Sequence, residues 1–465
     1  MQLHVVILAA GKGTRMKSAR AKVLHEVAGQ SLIEHVLAAA TALKPATVTV
    51  IIGHQGETIR EALRAHSHVA FVVQEPQLGT AHALLTTETR LGEKSGTLVL
   101  LSGDVPLLRV STLEKLVETH RAAQAAATVL TTNLADPKGY GRIVRASDGR
   151  IARIVEDRDA SVEEQAIHEI NGGIYAFDLD GLFAAVRSIG ANNAQREYYL
   201  PDLVSVFRKA GRPVETVVTD MPEEILGVNS RQELAIMNRI ARDAVNKALM
   251  ASGVTLEDPA TTYVHPDVRV GPDTVIHPNV SLERGTIVGS GCDIHSGARL
   301  VGAIVGDRAV VLNHCLITDS TIGSDTSVGP FAHIRNGATL APHAKVGNFV
   351  ELKKTALGPK SKAMHLAYLG DAVIGERVNI GAGTITCNYD GVHKHLTTIE
   401  DGAFIGSDTQ LIAPVTVEKD AYVGTGTTVR HNVPAGSLAI SAGKQRNVSG
   451  WVERRKKTLS TKSSE

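Results

Sequence analysis

The chain has 465 residues, and its 49 Lys and Arg residues balance its 48 Asp and Glu residues. This balance excludes the basic excess typical of a nucleic-acid-binding protein, and the length predicts two or three domains. Three cysteines without metal-binding spacing indicate free thiols in a reducing compartment. Because the sequence shows neither a signal-peptide pattern nor an apolar run of membrane-spanning length, we expect a cytoplasmic protein with no membrane partner.

The first half alternates strand and helix patterns. Buried strands are predicted at residues 5–8, 48–52, 69–73 and 97–101, and helices at 32–43, 59–65 and 81–87. Apolar strands separated by helices predict a parallel sheet covered on both faces. Ligands of such a sheet bind at the carboxyl ends of its strands.

A glycine-rich turn follows the first predicted strand. Gly11 and Gly13 would let backbone N–H groups approach a phosphate, while Lys12 and Arg15 supply positive charge. The turn matches neither the P-loop nor the dinucleotide fingerprint. On its own it is weak evidence for a phosphate site.

A capping box ends the first half. Ser230 and Glu233 have the spacing of N-cap and N3 residues, and an apolar stripe then continues at helical spacing toward Gly253. We therefore predict domains at residues 1–230 and 253–465, the latter with a C-terminal tail, joined by a helical linker at 231–252.

The second half repeats with a period of six. Aliphatic residues recur every six positions from Val264 to Leu300, resume after a one-residue slip at Val305, and continue in further runs to Val429. This period fits a three-sided solenoid of about eighteen residues per coil, or roughly nine coils. Residues 353–373 and 385–398 break the repeat, so we expect them to be loops expelled from the solenoid, where function tends to lie.

The motifs resemble two known groups of enzymes. Residues 8–16 with Lys22, and the segments 74–83, 103–107, 139–143, 171–174 and 227–229, resemble the sugar-nucleotidyltransferase signature. The hexapeptide repeats resemble those of the left-handed parallel β-helix acyltransferases. In combination, the chain resembles the bacterial family of bifunctional N-acetylglucosamine-1-phosphate uridylyltransferases and glucosamine-1-phosphate N-acetyltransferases.

This resemblance implies an α/β fold, in which a Rossmann-like nucleotidyltransferase domain precedes a left-handed parallel β-helix. It implies acetylation of glucosamine 1-phosphate by acetyl-CoA, followed by UMP transfer from UTP to N-acetylglucosamine 1-phosphate with release of pyrophosphate. The product would supply peptidoglycan and lipopolysaccharide synthesis. The family also implies Mg²⁺ as cofactor and a homotrimer whose acetyl-transfer sites are lined by neighbouring subunits.

For uridylyl transfer, the resemblance assigns Arg15 and Lys22 as catalytic cations, and Asp104 and Asn229 as oxygen ligands of Mg²⁺. Without its neighbours, Asp104 would be read as a turn former. The expected nucleotide and sugar-nucleotide contacts are Leu8, Ala9, Ala10, Gly11, Lys22, Gln74, Gly79, Thr80, Ser102, Gly103, Asp104, Gly141, Glu156, Asn171 and Asn229.

For acetyl transfer, the amine of the sugar needs a base, and histidine suits this task because its pKa in water is ~6.5. The resemblance selects His365, with Glu351 as a candidate to orient its ring. The expected sugar-phosphate contacts are Arg335, Lys353, Tyr368, Asn379 and Lys394, and the expected acetyl-CoA contacts are Ala382, Asn388, Tyr389, Ser407, Thr425 and Ala442. Thr425 stands where the family leads us to expect Ala, and Ala442 where it leads us to expect Arg, so Lys444 and Arg446 are candidates to replace that charge.

Two other interpretations remain open at the level of sequence. The chain could be a different nucleotidyltransferase, such as an ADP-glucose synthase, whose β-helix is regulatory. It could also be a scaffold without catalytic activity, in which both halves only bind partners.

Overall fold

The computed structural model describes residues 2–441, 443, 445 and 447–462. The chain divides into two compact units, Met1–Val245 and Asn246–Glu465. Among the described residues, no helix is both long enough and apolar enough to cross a membrane.

The first unit alternates strands and helices. Its strands are β1 (Leu3–Leu8), β2 (Glu26–Val27), β3 (Gln30–Ser31), β4 (Thr47–Ile52), β5 (Val69–Val73), β6 (Thr97–Ser102), β7 (Ala127–Asn133), β8 (Arg142–Arg145), β9 (Ile151–Val155), β10 (Glu169–Asp178) and β11 (Val214–Val218). Its helices are α1 (Leu32–Ala42), α2 (Gly56–Ala62), α3 (Thr80–Leu85), α4 (Glu88–Leu91), α5 (Val110–Ala122), α6 (Val162–Gln165), α7 (Leu182–Arg187) and α8 (Asp202–Lys209), with 3₁₀ turns at Thr14–Met16, Lys22–Leu24 and Pro222–Ile225. Helix α9 (Arg231–Ala251) begins in the first unit and ends in the second.

The central sheet has the strand order β11-β7-β10-β6-β1-β4-β5, with β8 and β9 joined at the side of β10. Strand β1 pairs in parallel with β4 and β6, as the sequence predicted. The four predicted strands β1, β4, β5 and β6 all pair in parallel, but the sheet is mixed, because β10 runs antiparallel to β6, β7 and β8. This ten-residue strand follows a short loop from β9 and α6, and it returns the chain through the middle of the sheet.

Both faces of this sheet are covered. In β1, Val5 and Ile7 pack into one core cluster with α1 and α5, while Val6 packs into the other with α3, α7 and α8. Alternate residues of one strand therefore serve opposite cores, which is why the strand sequence is continuously apolar.

The capping box predicted for α9 is formed. The Glu233 carboxylate accepts the Ser230 backbone N–H at 3.1 Å, and the Ser230 hydroxyl accepts the Glu233 N–H at 3.2 Å. Helix α9 then runs to Ala251, close to the predicted residues 231–252.

The second unit is a prism of three parallel sheets, the faces of a left-handed parallel β-helix. Face 1 contains Thr255–Leu256, Val275–Ile276, Asp293–Ile294, Val310–Val311, Ser327–Val328, Lys345–Asn348, Lys362–His365, Asn379–Ile380, Phe404–Ile405, Tyr422–Val423 and Leu438–Ala439. Face 2 contains Tyr263–Val264, Ser281–Glu283, Arg299–Val301, Leu316–Thr318, His333–Arg335, Glu351–Lys353, Tyr368–Gly370, Ile385–Cys387, Gln410–Ile412 and Thr428–Val429. Face 3 contains Arg269–Val270, Ile287–Val288, Ile304–Val305, Thr321–Ile322, Thr339–Leu340, Ala356–Leu357, Ala372–Ile374, Thr397–Ile399 and Val415–Val417. Helix α10 (Trp451–Lys462) follows the prism in the sequence.

The predicted aliphatic residues fill the interior of the prism. Ile276, Ile294 and Val311 occupy matching positions on successive coils, and each is fully buried. The six-residue period is thus the length of one side together with its corner.

The prediction that residues 353–373 form a loop expelled from the prism is wrong. Residues 353–373 continue the faces, with Leu357, Ala363 and Leu369 buried in the interior. The second prediction, residues 385–398, is confirmed for 388–396 only. The chain leaves the prism after Cys387 and returns at Thr397, forming a small excursion closed by an antiparallel bridge between Tyr389 and Lys394.

Candidate active sites

A cleft of about 530 Å³ lies in the first unit. Its lining comprises Leu8, Ala9, Ala10, Gly11, Lys12, Gly13, Thr14, Arg15, Lys22, Val23, Gln74, Gln77, Gly79, Thr80, Ala83, Ser102, Asp104, Glu197 and Asn229. The structure therefore brings both predicted cations and both predicted metal ligands to one cavity. The cavity lies at the carboxyl ends of β1 and β6, where ligands of such sheets bind.

The glycine-rich turn is folded tightly against Lys22. Gly13 has φ 58°, and a Cβ atom there would lie only 2.6 Å from Cβ of Lys22. A side chain at residue 13 is thus excluded by both conformation and space. The turn then enters the 3₁₀ turn Thr14–Met16, which carries Arg15 into the cleft lining.

Asp104 and Asn229 converge on the amine of Lys22. The amine donates to Oδ1 of Asn229 at 2.8 Å and forms a close ion pair with Asp104. The Asp104 backbone carbonyl accepts the N–H of Val228 at 2.9 Å, which holds the segment bearing Asn229 beside the end of β6. A carboxylate and an amide oxygen that both contact one cation form a donor set suited to a hard divalent metal ion.

The N-terminus of α9 positions Asn229. Its backbone N–H donates to the Glu233 carboxylate at 2.5 Å, and that carboxylate also accepts from Ser230. The residue that caps the helix therefore also anchors a predicted metal ligand.

The opposite wall of the cleft is built around Gln74 and Gln77. Gln74 donates to the carbonyl of Gly79 at 3.0 Å, and Gln77 donates to the carbonyl of Ala10 at 2.6 Å. Gly79 has φ 112°, and a Cβ atom there would lie 2.6 Å from the Tyr198 carbonyl oxygen. This crowding requires glycine where the chain enters α3.

Gly141, Glu156 and Asn171 form a group of their own. A Cβ atom on Gly141 would lie 3.3 Å from the Glu156 carboxylate and 3.5 Å from Cβ of Asn171. Burial raises the pKa of Glu156, and the nearby Asp159 and Asp202 add to this effect. The group is linked to the cleft through Ser102, whose hydroxyl donates to the Gly173 carbonyl at 3.3 Å, while Asn171 accepts the Gly173 N–H.

In the second unit, His365 ends a strand of face 1. Its Nδ1 lies 2.9 Å from Oδ1 of Asn348, the residue beside it on the preceding coil. Because an amide oxygen can only accept, Nδ1 carries the hydrogen and Nε2 of the neutral ring is left as the basic nitrogen. The prediction that Glu351 orients this ring is wrong, since Glu351 pairs with Arg335 at 2.7 Å.

Basic side chains gather on face 2. Arg335 and Lys353 occupy matching positions on adjacent coils. Lys394, which belongs to the excursion, lies beside Lys353. Contact with the Lys353 amine lowers the pKa of Lys394. Asp371 and Tyr368 also act on Lys394, and Asp371 accepts a hydrogen bond from the buried Asn388. Two amines held side by side are a favourable setting for a phosphate.

Three of the remaining predicted residues, Ala382, Ser407 and Thr425, align with His365 along one edge of the prism. Strand register places Asn379 beside Lys362, and continuing that register places Ala382 beside His365. Ser407 and Thr425 follow at the matching positions of the next two coils. Tyr389 lies on the excursion with its hydroxyl donating to the Gly391 carbonyl, whereas Ala442, Lys444 and Arg446 lie outside the described residues.

Comparison with known proteins agrees with both units. The MobA-like NTP transferase domain family matches residues 5–166, and the GMPPB C-terminal domain family matches residues 259–350. The chain is 49% identical over 452 residues to the bifunctional protein GlmU of Pelobacter propionicus, covering 97% of this chain and 98% of that protein. The bifunctional protein GlmU of Trichlorobacter lovleyi is 49% identical (96% and 97% covered), and that of Heliobacterium modesticaldum is 48% identical (97% and 98% covered).

The chain belongs to the bifunctional GlmU family. The resemblance seen in the sequence is thereby confirmed, and with it the prediction of a bifunctional enzyme with uridylyltransferase and acetyltransferase activities. The two rival interpretations, a single-activity synthase and a scaffold without catalysis, are set aside by matches that span nearly the whole length of bifunctional GlmU proteins.

Sequence reasoning missed several residues of these GlmU sites. Gln77 and Glu197 line the cleft, and Asn348 holds the His365 ring. Gln77 lies within the recognised segment 74–83, so its position was a usable signal. Glu197 and Asn348 reach their sites only through tertiary structure, since the first arrives from the loop before α8 and the second from the coil preceding His365.

Proposed function

We propose that the two GlmU activities of this chain are divided between its two units. Uridylyl transfer takes place in the cleft of Met1–Val245, and acetyl transfer on the prism of Asn246–Glu465. The observation that carries the first assignment is the convergence of Lys22, Asp104 and Asn229 beside the glycine-rich turn. The enzyme first acetylates glucosamine 1-phosphate with acetyl-CoA and then joins the product to UMP from UTP.

In the cleft, a phosphate oxygen of N-acetylglucosamine 1-phosphate attacks the α-phosphorus of UTP, and the bond to pyrophosphate breaks. Both reactants are anions, so the chain must neutralise charge and align them rather than form a covalent intermediate. Arg15, Lys22 and the backbone N–H groups of the glycine-rich turn are the donors available for this purpose.

Asp104 and Asn229 would hold Mg²⁺. The fit is supported by the two oxygens that already share one cationic partner, the amine of Lys22. When bound, Mg²⁺ supplies further neutralisation of the phosphates. The amine of Lys22 would then be available to contact a phosphate oxygen of the nucleotide.

Different walls of the cleft would contact the base and the sugar. Gln74, Gly79 and Thr80 would contact the base, close to the turn that receives the phosphates. Gly141, Glu156 and Asn171 would hold the sugar, joined to the cleft through Ser102. Gln77 fixes the wall by its bond to the Ala10 carbonyl.

On the prism, the 2-amine of glucosamine 1-phosphate attacks the thioester carbonyl of acetyl-CoA. A C–N bond forms, the C–S bond breaks, and the coenzyme leaves as a thiolate. His365 accepts the amine proton at Nε2, the nitrogen left free by the Nδ1–H bond to Asn348. Asn348 is a positioning residue, because it acts through the imidazole.

Arg335, Lys353 and Lys394 would bind the phosphate of the amino sugar. The support is the contact between the two lysine amines and the matching register of Arg335 and Lys353. A phosphate placed there relieves the repulsion between the amines. Tyr368 and Asn379 would contact the sugar, and Ala382, Asn388, Tyr389, Ser407 and Thr425 the acetyl-CoA.

We further propose a homotrimer in which neighbouring chains complete each acetyl-transfer site. This is supported by the placement of His365 on face 1 and of Arg335 and Lys353 on face 2. A site that needs all three groups is more easily closed between adjoining prisms.

The proposal is tested by mass spectrometry of the products from glucosamine 1-phosphate, acetyl-CoA, UTP and Mg²⁺. The wild-type protein should yield UDP-N-acetylglucosamine and pyrophosphate. The His365→Ala protein should make neither unless it is given N-acetylglucosamine 1-phosphate, whereas Asp104→Ala should accumulate that intermediate. Formation of the full product by both variants would refute the assignment of the two sites.

A further inference from the structure

A cluster of histidines and carboxylates lies at the start of the prism, outside both proposed sites. Strand register places Glu257, His277 and His295 at the same position on three successive coils, just after the strands of face 1. The two imidazole rings stack with centroids 4.6 Å apart. Asp293 precedes His295 by two residues and therefore projects from the same side of its strand.

The donor atoms of this cluster point at one another. Nε2 of His277 lies 2.8 Å from one oxygen of Asp293, and Nε2 of His295 lies 3.1 Å from the other. Ligand atoms of His277, Asp293 and His295 all fall within 4.8 Å of one another. The three side chains are 24%, 42% and 27% exposed, so an ion from solvent can reach them.

Glu257 gives the cluster its orientation. Its carboxylate lies 2.9 Å from Nδ1 of His277. Without a metal, the 2.8 Å contact between Nε2 of His277 and Asp293 requires a hydrogen on Nε2, because a carboxylate can only accept. A metal ion would displace that hydrogen, while the hydrogen on Nδ1 stays bonded to Glu257 and fixes the ring. Metal-binding histidines in proteins commonly have their second nitrogen bonded to a carboxylate in this way.

We propose that His277, Asp293 and His295 bind one divalent transition-metal ion, for which Zn²⁺ is the natural probe. Two imidazoles and one carboxylate suit zinc and its neighbours, whereas Mg²⁺ prefers an all-oxygen set. With metal–ligand bonds of about 2.0–2.1 Å, tetrahedral ligands lie about 3.4 Å apart. The observed nitrogen–oxygen separations of 2.8 and 3.1 Å, which involve different oxygens of Asp293, would need to open by about 0.6 and 0.3 Å.

The ion would tie together the first coils of the prism. In a solenoid each coil contacts only its neighbours, so the terminal coils depend on few contacts. His277 belongs to one coil, Asp293 and His295 to the next, and Glu257 to the preceding one. A ligand that binds only the folded form adds stability according to its concentration relative to Kd.

The test is isothermal titration of the EDTA-treated full-length protein with zinc chloride, in buffer containing excess Mg²⁺ to occupy oxygen-only sites. The wild-type protein should bind one equivalent more than His277→Ala or His295→Ala. His431→Gln, which changes an exposed histidine elsewhere on the prism, should match the wild type. Glu257→Gln should keep the stoichiometry and weaken affinity about 10- to 100-fold.

Thermal unfolding separates metal binding from an ion-paired cluster that takes no metal. Zinc should raise the melting temperature of the wild type but not that of Asp293→Asn, whose side chain has nearly the same shape. Far-UV circular dichroism and uridylyl transfer, measured without zinc, establish that each variant is folded. If folded His277→Ala and His295→Ala bind as much zinc as the wild type, or the wild type binds none, the proposal is overturned.

Discussion

At the scale of single residues, Lys22 connects the parts of the first site. Its amine contacts both Asp104 and Asn229, and its side chain packs under Gly13 of the glycine-rich turn. The lysine therefore contacts both proposed metal ligands and lies beside the turn that is proposed to receive the phosphates.

Replacing Asp104 with Ala should reduce uridylyl transfer at least about 100-fold, because the only charged ligand proposed for Mg²⁺ is removed. Acetyl transfer should stay near normal, since Asp104 belongs to the first unit only. Separate assays of pyrophosphate release and of free coenzyme A measure the two effects. Loss of both activities would contradict two independent sites.

Replacing Asn348 with Ala should leave His365 present but free to rotate. We expect acetyl-transfer kcat to fall about tenfold and its dependence on pH to shift, whereas His365→Ala should cost about 10²- to 10⁴-fold. Asn313→Ala is the matched control, because Asn313 lies on the same edge of the prism two coils earlier. An unchanged pH profile in Asn348→Ala would refute the positioning role.

Lys394 should take up a proton when the amino-sugar phosphate binds. Contact with Lys353 lowers the pKa of Lys394, so at alkaline pH part of this amine is neutral in the free protein. A bound phosphate favours the charged form and raises that pKa again. Calorimetry at about pH 9, in two buffers of different ionisation enthalpy, should therefore show proton uptake.

The uptake should disappear in Lys394→Met and persist in Lys419→Met, which alters an exposed lysine elsewhere on the prism. Equal uptake by the two variants would assign the proton to another group.

At the scale of elements, the cap of α9 ties helix formation to the first site. Glu233→Ala should cost about 1 kcal/mol of stability through loss of the cap. It should also raise the Mg²⁺ concentration needed for uridylyl transfer, because the Asn229 N–H loses its acceptor. Glu164→Ala removes the equivalent carboxylate from the capping box of α6 and should leave the Mg²⁺ requirement unchanged. A similar Mg²⁺ requirement in both variants would refute the coupling.

The six-residue pattern predicted the prism but misplaced one of its interruptions for a physical reason. Leu352 to Leu357 and Leu369 to Ile374 are steps of five residues. Lys354 and Asp371, at the corners within these steps, have φ 49° and 48°. A residue in this left-handed backbone conformation turns the corner so that the side takes five residues instead of six. A strict period of six loses its phase there although the coil continues.

Other features depend on contacts that no local pattern contains. The alternating elements predicted β1, β4, β5 and β6 closely, yet nothing in the sequence of β10 marks its antiparallel direction. The same holds at the sites. Asp104 and Asn229 were recognised from their motifs, whereas the bond of Asn348 to His365 depends on which residues the coil places side by side.

At the scale of the whole molecule, the proposed trimer predicts that two chains with different inactivating substitutions can together form an intact acetyl-transfer site. Subunits carrying His365→Ala and subunits carrying Arg335→Ala should each be inactive alone. When the two are coexpressed in equal amounts, about one quarter of the sites should draw both intact residues from neighbouring chains. Acetyl-transfer assays on purified mixed oligomers measure this recovery.

Mixtures that remain inactive would show that each chain builds its own site. Sedimentation is the accompanying control, since a wild-type monomer with full acetyl-transfer activity would refute shared sites directly.

The row formed by His365, Ala382, Ser407 and Thr425 has one residue on each of four coils. With a spacing of ~4.8 Å between coils, it covers about 14 Å along the axis of the prism. Successive parts of a long thioester lying along this row would contact successive coils. Donors shortened from the nucleotide end should therefore lose affinity in steps, while the acetyl group still arrives opposite the imidazole.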